Sequence, residues 1–351
     1  SLELPLPAAL TTRSDFLIAG GILFIIWIES ATDIRSSPAN LGILLLSMFI
    51  LAFALNTIWA RQAWCRYICP LGGMNGLLAR VSMLELRADN AICLSRCNTQ
   101  ECYFGAAKAE GCPFGQVVAT LHSNQFCKLC GNCVKNCPHS AIRLNLRIPG
   151  YELGEVRYVR AGTGFLVLGL IGGLLGDILS RGAWFEPLVS WAPDSFMLRF
   201  TIVFVGMIAL VNLVSMLAVA FSHHFFKERF WENYSRFALA LLPLTAMSFL
   251  AFHAYYLFSL GPQILALLGY YLGIGSGVAP SGSLFPNDVI FVLQVIIIIV
   301  GLIWSIITIY RLGFAAPVSR LARNIGILPH CIMALWVAIA FGLMIRITLT
   351  S

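Results

Sequence analysis

The sequence predicts a mainly α-helical protein that crosses a membrane about seven times and carries a small cysteine-rich insert between the second and third crossings. Two observations predict this class. Of the 351 residues, 59% are hydrophobic and only 11% are charged, against about a quarter charged in a typical soluble domain. Ten of the eleven cysteines lie between Cys65 and Cys137. The composition excludes a soluble enzyme and a disordered chain, and the clustered cysteines favour a metal-binding insert over dispersed disulfides.

Seven stretches with few or no charges mark the predicted membrane spans. Five of them are long enough for the roughly 20 apolar residues that a crossing helix needs. The first and third are shorter, and they cross if the charges at their ends lie at the membrane interfaces. The predicted spans are residues 16–28, 36–60, 161–176, 201–226, one within 237–287, 289–310 and 324–345.

The basic residues predict the side of the membrane that the insert faces. Residues 61–160 contain 12 of the 23 lysines and arginines, and cytoplasmic loops carry such an excess. We therefore expect a multi-pass protein of a bacterial-type inner (cytoplasmic) membrane, with the insert in the cytoplasm. The predicted domains are residues 1–62 with two membrane helices, 63–158 as the insert, and 159–351 with five helices. The first residue is Ser1 rather than methionine, so we expect further residues upstream.

The strongest motif is the run Cys127-x2-Cys130-x2-Cys133-x3-Cys137-Pro138. This order and spacing is the bacterial ferredoxin pattern, in which cysteine thiolates bind a [4Fe–4S] cluster. Residues 141–144 then read as a short strand. Zinc is the alternative ligand, because paired C-x2-C motifs also bind zinc. The third spacing and the following proline favour iron and sulfide.

A second group of cysteines precedes this run with looser spacing. In ferredoxins with two clusters, the last cysteine of each run binds the other cluster. Applied here, this rule defines a first cysteine set and a second cysteine set, one for each of two [4Fe–4S] clusters. The first set is Cys93, Cys97, Cys102 and Cys137, and the second set is Cys112, Cys127, Cys130 and Cys133.

Two more cysteines, Cys65 and Cys69, stand in a C-x3-C-P motif directly after the second span. A helix would place both thiols on one face, and Pro70 with Gly72 would then end the second span. The functional interpretation is a cofactor-binding, redox or metal-linked pair beside the clusters. The alternative is two buried thiols at a helix end.

The segment Trp64-Cys65-Arg66-Tyr67-Ile68-Cys69-Pro70-Leu71-Gly72, followed by the two cysteine sets, resembles the membrane-bound polyferredoxin family of the NapH, NosR and cytochrome-oxidase accessory type. The resemblance covers roughly residues 40–150. It implies a membrane anchor that holds two [4Fe–4S] clusters and passes electrons to or from partner proteins. The spans after residue 160 resemble no family that we can name.

Two histidines, His253 and His330, fall within predicted spans. Ionisable groups inside a membrane are costly and often functional, so both are candidates for a quinone or haem site. The alternative is that they are interfacial or hydrogen-bonded within the bundle.

Together these features predict an integral membrane iron–sulfur protein that passes electrons between a cytoplasmic or quinone-pool donor and a membrane or periplasmic acceptor. It would be an electron-transfer component of a respiratory or redox complex rather than a stand-alone catalyst, with redox proteins as partners and no nucleic acid. We predict no catalytic acid–base residues. Two alternatives stay open: an accessory or maturation factor for a metalloenzyme, and a redox-regulated transporter.

Overall fold

The computed structural model describes residues 4, 7–32, 34–155, 159–274 and 283–350. The protein is mainly helical, and within the described residues seven helical segments are long and apolar enough to cross a membrane. The predicted fold class and number of spans are therefore confirmed. The chain divides into two compact units, Ser1–Leu166 and Val167–Ser351.

The first unit contains two long helices, the cysteine-rich segment and the start of α9. Its long helices are α1 (Ala8–Ala31) and α2 (Pro38–Ile58). Its short helices are α3 (Ala63–Tyr67), α4 (Pro70–Val81), α5 (Asn90–Arg96), α6 (Glu101–Phe104), α7 (Asn132–Asn136) and α8 (Tyr151–Glu155). Its strands are β1 (Leu84–Ala88), β2 (Gly105–Ala106), β3 (Ala109–Glu110) and β4 (Ile142–Leu146).

Helix α1 is longer than the predicted first span because Asp15 lies inside it rather than at its end. The Asp15 side chain is buried, and Thr163 Oγ1 donates a hydrogen bond of 3.1 Å to its Oδ2 atom. A buried carboxylate is tolerated when it is hydrogen-bonded. Helix α4 packs closely against α1, since a Cβ atom on Gly73 would lie 2.0 Å from Ile18 Cγ2.

The cysteine-rich segment is built on a small antiparallel sheet. Strand β1 pairs with β4, with Leu86 opposite Leu144, which confirms the short strand predicted after the ferredoxin run. A small buried core lies beside the sheet, formed by Leu86, Val118, Leu121, Cys133 and Ile142. Cys102, Cys127 and Cys137 pack against this core, so the candidate ligands form part of the interior of the segment.

The second unit contains the rest of α9 and the C-terminal helices. These are α9 (Ala161–Ser180), α10 (Phe185–Val189), α11 (Phe196–Phe226), α12 (Phe230–Ala240), α13 (Leu242–Tyr271), α14 (Asn287–Phe314) and α15 (Arg320–Thr350). Glycines on α9 let α11 approach closely: a Cβ atom on Gly172 would lie 2.6 Å from Ile208 Cα. Small residues commonly allow such close packing of membrane helices.

One predicted span, within residues 237–287, corresponds to two helices that meet at Leu241. Proline at position 243 has no N–H to continue the helix ladder. The N–H of Leu244 donates to Ser305 Oγ at 3.0 Å. A side chain of α14 thus accepts a backbone hydrogen bond at the point where the helix is interrupted. Gly301 lies one turn away on α14, where a Cβ atom would come 3.1 Å from Leu244 Cα.

Candidate metal centre

The second cysteine set surrounds one cavity of the first unit. All four of its members line this cavity, together with apolar side chains that include Leu86, Val118 and Phe126. The loop between the ligands is shaped by two residues in the left-handed region, Leu129 (φ 53°) and Gly131 (φ 78°). These two residues flank Cys130, the most exposed thiol of the set, and curl the chain around the cavity.

The thiols of this set influence one another electrostatically. Burial, followed by negative charge at Cys127, Cys130 and Cys112, raises the pKa of Cys133 to about 12. Burial also raises the pKa of Cys127, whereas the N–H of Leu129, which donates to its sulfur, lowers it. Cys127 and Cys133 therefore carry protons in the metal-free protein, and binding of iron must release them.

The first cysteine set is also brought together, although its members lie far apart in sequence. Burial raises the pKa of Cys102, the N–H of Val118 lowers it, and negative charge at Cys93, Cys97 and Cys137 raises it. Burial likewise raises the pKa of Cys93, and Cys97 and Cys137 add to that effect. The fold thus places Cys137 beside the first set rather than with the other members of its own run.

This arrangement suits cubane clusters. Within the described ranges, no three Cys, His, Asp or Glu side chains converge closely enough to hold a single metal ion. The four sulfur ligands of a [4Fe–4S] cluster can lie farther apart than those of a single metal ion, because each cysteine binds a different iron atom. Backbone N–H groups already point at the sulfurs: Gln116 N lies 3.3 Å from Cys112 Sγ, and Ala141 N lies 3.3 Å from Cys137 Sγ. Such hydrogen bonds tune the potential of a bound cluster.

A buried asparagine ties the segments that carry the two sets. Asn136 Nδ2 donates to the carbonyl oxygens of Ala109 (2.8 Å) and Glu110 (3.2 Å), directly before Cys112. The N–H of Cys112 donates to the carbonyl oxygen of Cys102 at 3.2 Å. The two candidate centres therefore lie side by side.

A buried charged cluster, which no sequence motif indicates, supports the sheet. Glu152 accepts a hydrogen bond of 2.7 Å from Arg147 and one of 3.2 Å from the N–H of Asn124. Arg147 also lies 3.3 Å from Glu85 and donates to the carbonyl oxygen of Ala79 at 2.9 Å. The residues come from α4, β1, α8 and two connecting segments, and only an excess of arginines in this region could have signalled such a cluster.

The prediction that Cys65 and Cys69 share one helix is wrong. Helix α3 ends at Tyr67, and Cys69 is extended (φ −63°, ψ 120°) as the residue that precedes α4. The residue before a proline is driven out of the helical region, so Pro70 ends one helix and begins the next. The expectation that Pro70 and Gly72 end the second span is also wrong, because α2 ends at Ile58 and both residues belong to α4.

The loop that contains these cysteines, residues 61–70 and hereafter the C-x3-C-P loop, contacts the second cysteine set. Arg61 Nη1 donates to the carbonyl oxygen of Cys112 at 3.1 Å, and Arg66 donates to that of Phe114. Lys128, between two ligands of the set, donates to Gln62 Oε1 at 3.1 Å. Nothing in the spacing of the cysteines indicates which cluster the loop approaches, so the sequence does not predict these contacts.

The two candidate histidines have separate surroundings in the second unit. His330 is buried, its Nε2 atom lies 3.0 Å from Ser222 Oγ, and its ring stacks on Phe237 with centroids 3.7 Å apart. His253 is exposed on α13, with Nδ1 2.9 Å from the carbonyl oxygen of Phe249. The structure therefore does not join them in one site.

Comparison with known protein families gives two matches, both described as 4Fe–4S binding domains, at residues 41–86 and 123–143. The chain is related to the ferredoxin-type 4Fe–4S membrane proteins. The first match includes the C-x3-C-P loop, and the second includes the ferredoxin run. The resemblance predicted from the sequence is thereby confirmed.

Three curated relatives match parts of the chain. YccM of Escherichia coli K12 is 28% identical over 147 residues, which are 41% of this chain and 38% of that protein. The methylamine utilization ferredoxin-type protein MauN of Paracoccus denitrificans is 34% identical over 19% of this chain and 26% of its own length. The ferredoxin-type protein NapH of Haemophilus influenzae is 24% identical over 28% of this chain and 36% of its own length. The chain thus spans less than two fifths of each relative, and no solved structure matches it.

Proposed function

We propose that this 4Fe–4S membrane protein binds two [4Fe–4S] clusters and passes electrons between a cytoplasmic or quinone-pool donor and a membrane or periplasmic acceptor. The observation that carries the proposal is that Cys112, Cys127, Cys130 and Cys133 line one cavity, while Cys93, Cys97 and Cys137 act electrostatically on Cys102. A bound [4Fe–4S] cluster supplies a reversible one-electron carrier. The protein supplies its position, its sulfur ligands and the N–H groups directed at them.

The contacts of the first unit support an order for the route. The C-x3-C-P loop contacts the second set through Arg61 and Arg66. The same loop leads into α4, which packs on the membrane helix α1 through Gly73. The N–H of Cys112 bonds to Cys102, which belongs to the first set. We infer that the second set lies on the membrane side of the route and that the first set receives or delivers electrons at the soluble side.

The side of the membrane follows from charge. With 12 of 23 basic residues in 61–160, we place the insert, residues 63–158, in the cytoplasm. An alkaline-phosphatase fusion near residue 105 should be inactive, and a cytoplasmic reporter there should be active. Phosphatase activity at that position would invert the proposed topology.

The function is tested by single turnover of anaerobically purified protein. Clusters reduced with dithionite should be reoxidised, within one mixing experiment, by a water-soluble quinone analogue or by a purified membrane redox partner. Loss of this reaction on Cys112→Ser, with Cys331→Ser unaffected, would link it to the second set. The alternative, an accessory or maturation factor, would be favoured by two results together. The reduced clusters would not be reoxidised by any acceptor, and a metalloenzyme would fail to assemble without the protein.

His253 and His330 stay candidates for the quinone or haem that such a route could use. His253 is the stronger candidate for a cofactor site. It is exposed on a membrane helix, where an ionisable side chain is costly and often functional. His330, by contrast, is enclosed and already lies beside Ser222. A haem assay and the quinone dependence of His253→Phe separate the two cofactors. Unchanged quinone kinetics in that variant would remove His253 from the proposal.

A further inference from the structure

Cys65 and Cys69 lie together in one tight turn, although no single helix carries them. A Cβ atom on Gly72 would lie 2.1 Å from the carbonyl oxygen of Cys65 and 3.5 Å from Cys69 Cβ, so both cysteines contact the same glycine. The N–H of Cys69 donates to the carbonyl oxygen of Trp64 at 2.8 Å and closes the turn. The closed turn holds both cysteines against Gly72, and the negative charge of Cys69 acts on Cys65 across it.

The pair is shielded from solvent, and one neighbouring cation opposes the effect of burial on Cys65. Cys69 is buried and Cys65 is half-buried, so the pair is shielded but reachable. Burial raises the pKa of Cys65, negative charge at Cys69 raises it further, and Lys128 acts in the opposite direction. A neighbouring cation is the feature that assists thiolate formation when electrons are exchanged.

The same loop borders both chain segments that carry the second cysteine set. Arg66, between the two cysteines in sequence, donates to the carbonyl oxygen of Phe114, two residues after Cys112. Lys128, one residue after Cys127, reaches Gln62 at 3.1 Å. The pair is therefore adjacent to the candidate centre that lies on the membrane side of the proposed route.

We propose that Cys65 and Cys69 form a redox-active dithiol–disulfide pair that exchanges electrons with the neighbouring iron–sulfur centres, an inference that rests on the proposed function. The disulfide accepts two electrons, one from each of two reduced clusters, and two protons from water. Its S–S bond breaks and two thiols form. In the return step the S–S bond forms again, and a two-electron acceptor of the quinone class takes the two electrons and two protons. The pair thereby converts one-electron transfers into a two-electron exchange.

Peptide mapping tests this directly on the full chain. Protein poised anaerobically at a series of potentials is quenched with acid, alkylated and digested with trypsin. Cleavage after Arg61, Arg66 and Arg80 places Cys65 and Cys69 on separate peptides, 62–66 and 67–80, so a disulfide links two fragments. We expect the linked fragment in oxidised protein. The linked fragment should disappear on reduction. A two-electron couple requires about 30 mV for each tenfold change in the ratio of disulfide to dithiol.

Variants separate this inference from the proposed function. Cys65→Ser and Cys69→Ser, singly or together, should keep the full iron content and clusters that dithionite reduces, but should lose the linked fragment and acceptor reduction. Cys331→Ser, on α15, is the matched control and should change none of these. If iron-replete wild-type protein shows no linked fragment at any potential, the redox-active pair is overturned. The proposed electron-transfer function is not affected by that result. Loss of about half of the iron in either single variant also overturns the pair, because that residue would then be a cluster ligand. Wild-type protein without iron would instead overturn the proposed function.

Discussion

The cysteine-rich segment of the first unit and the helices of the second unit are stabilised in different ways. The segment has a core of five buried side chains, one of which is Cys133. In the second unit, by contrast, α9 alone buries Leu168, Ile171, Leu175 and Ile178 almost completely. Small domains with little core commonly depend on metals or disulfides. We infer that the segment depends on what its cysteines bind, whereas the second unit depends on the packing of its helices within the membrane.

Removal of iron should have the largest effect and should be confined to the segment. We expect anaerobic treatment with an iron chelator to expose Arg87 and Arg143, on β1 and β4, to rapid trypsin cleavage. The reason is that binding of the metal also supplies folding free energy. Cleavage at Arg229 and Arg311 in the second unit should keep its original rate. Fragment mass spectrometry over time measures both cleavage rates. Equal protection of the segment before and after chelation would show that its fold does not depend on iron.

Loss of one ligand should remove one cluster. Cys133→Ser deletes a buried member of the second set and should lower iron by about four atoms per chain, half of two four-iron clusters. Cys137→Ser should remove the same amount but abolish the other cluster's EPR signal. Cys331→Ser should bind as much iron as wild type. Identical residual spectra in the Cys133 and Cys137 variants would show that the proposed pairing of ligands is wrong.

The buried charged cluster should matter more than an exposed ion pair of similar geometry. Arg147→Met removes the closest cation of buried Glu152 and leaves it Arg80 and Arg87, each at 3.9 Å. Complete loss of a buried partner typically costs about 3–5 kcal/mol, so we expect a loss toward the lower end of that range. Arg346→Met breaks a 2.8 Å pair with Asp288, which is 83% exposed, and such pairs contribute about 0–1 kcal/mol. Loss of cluster absorbance in urea measures the first effect. A large shift of the urea midpoint in the Arg346 variant, or no shift in the Arg147 variant, would reverse the expected order.

The last and smallest expected effect is a pH dependence seen only in the iron-free protein. Cys133 has a pKa of about 12 when folded against an ordinary value of 9.0. Because the folded value is raised, the thiol contributes its full stabilisation below about pH 9 and loses it as the pH rises toward 12. The protease protection that the segment keeps after iron removal should fall across this window, and Cys133→Ser should weaken the fall. An equal fall in the second unit would point to general alkaline unfolding.

The spans were predictable and the candidate cluster ligands could be proposed because their signals are local. Apolar length identifies a crossing helix, and the spacing within residues 127–138 is specific to ferredoxins. The missed features depend on contacts between distant residues. The full length of α1 depends on Thr163, which bonds Asp15 across 148 positions, and the approach of the C-x3-C-P loop depends on Lys128, 66 positions from Gln62. The break between α3 and α4 is different, because the restriction that Pro70 places on Cys69 was visible in the sequence.

Metal analysis of protein purified without oxygen determines whether eight cysteines of the first unit hold two [4Fe–4S] clusters. We expect about eight irons and about eight acid-labile sulfides per chain, with an EPR signal of two interacting reduced clusters. Zinc without acid-labile sulfide in the same preparation would show that the cysteines bind zinc instead.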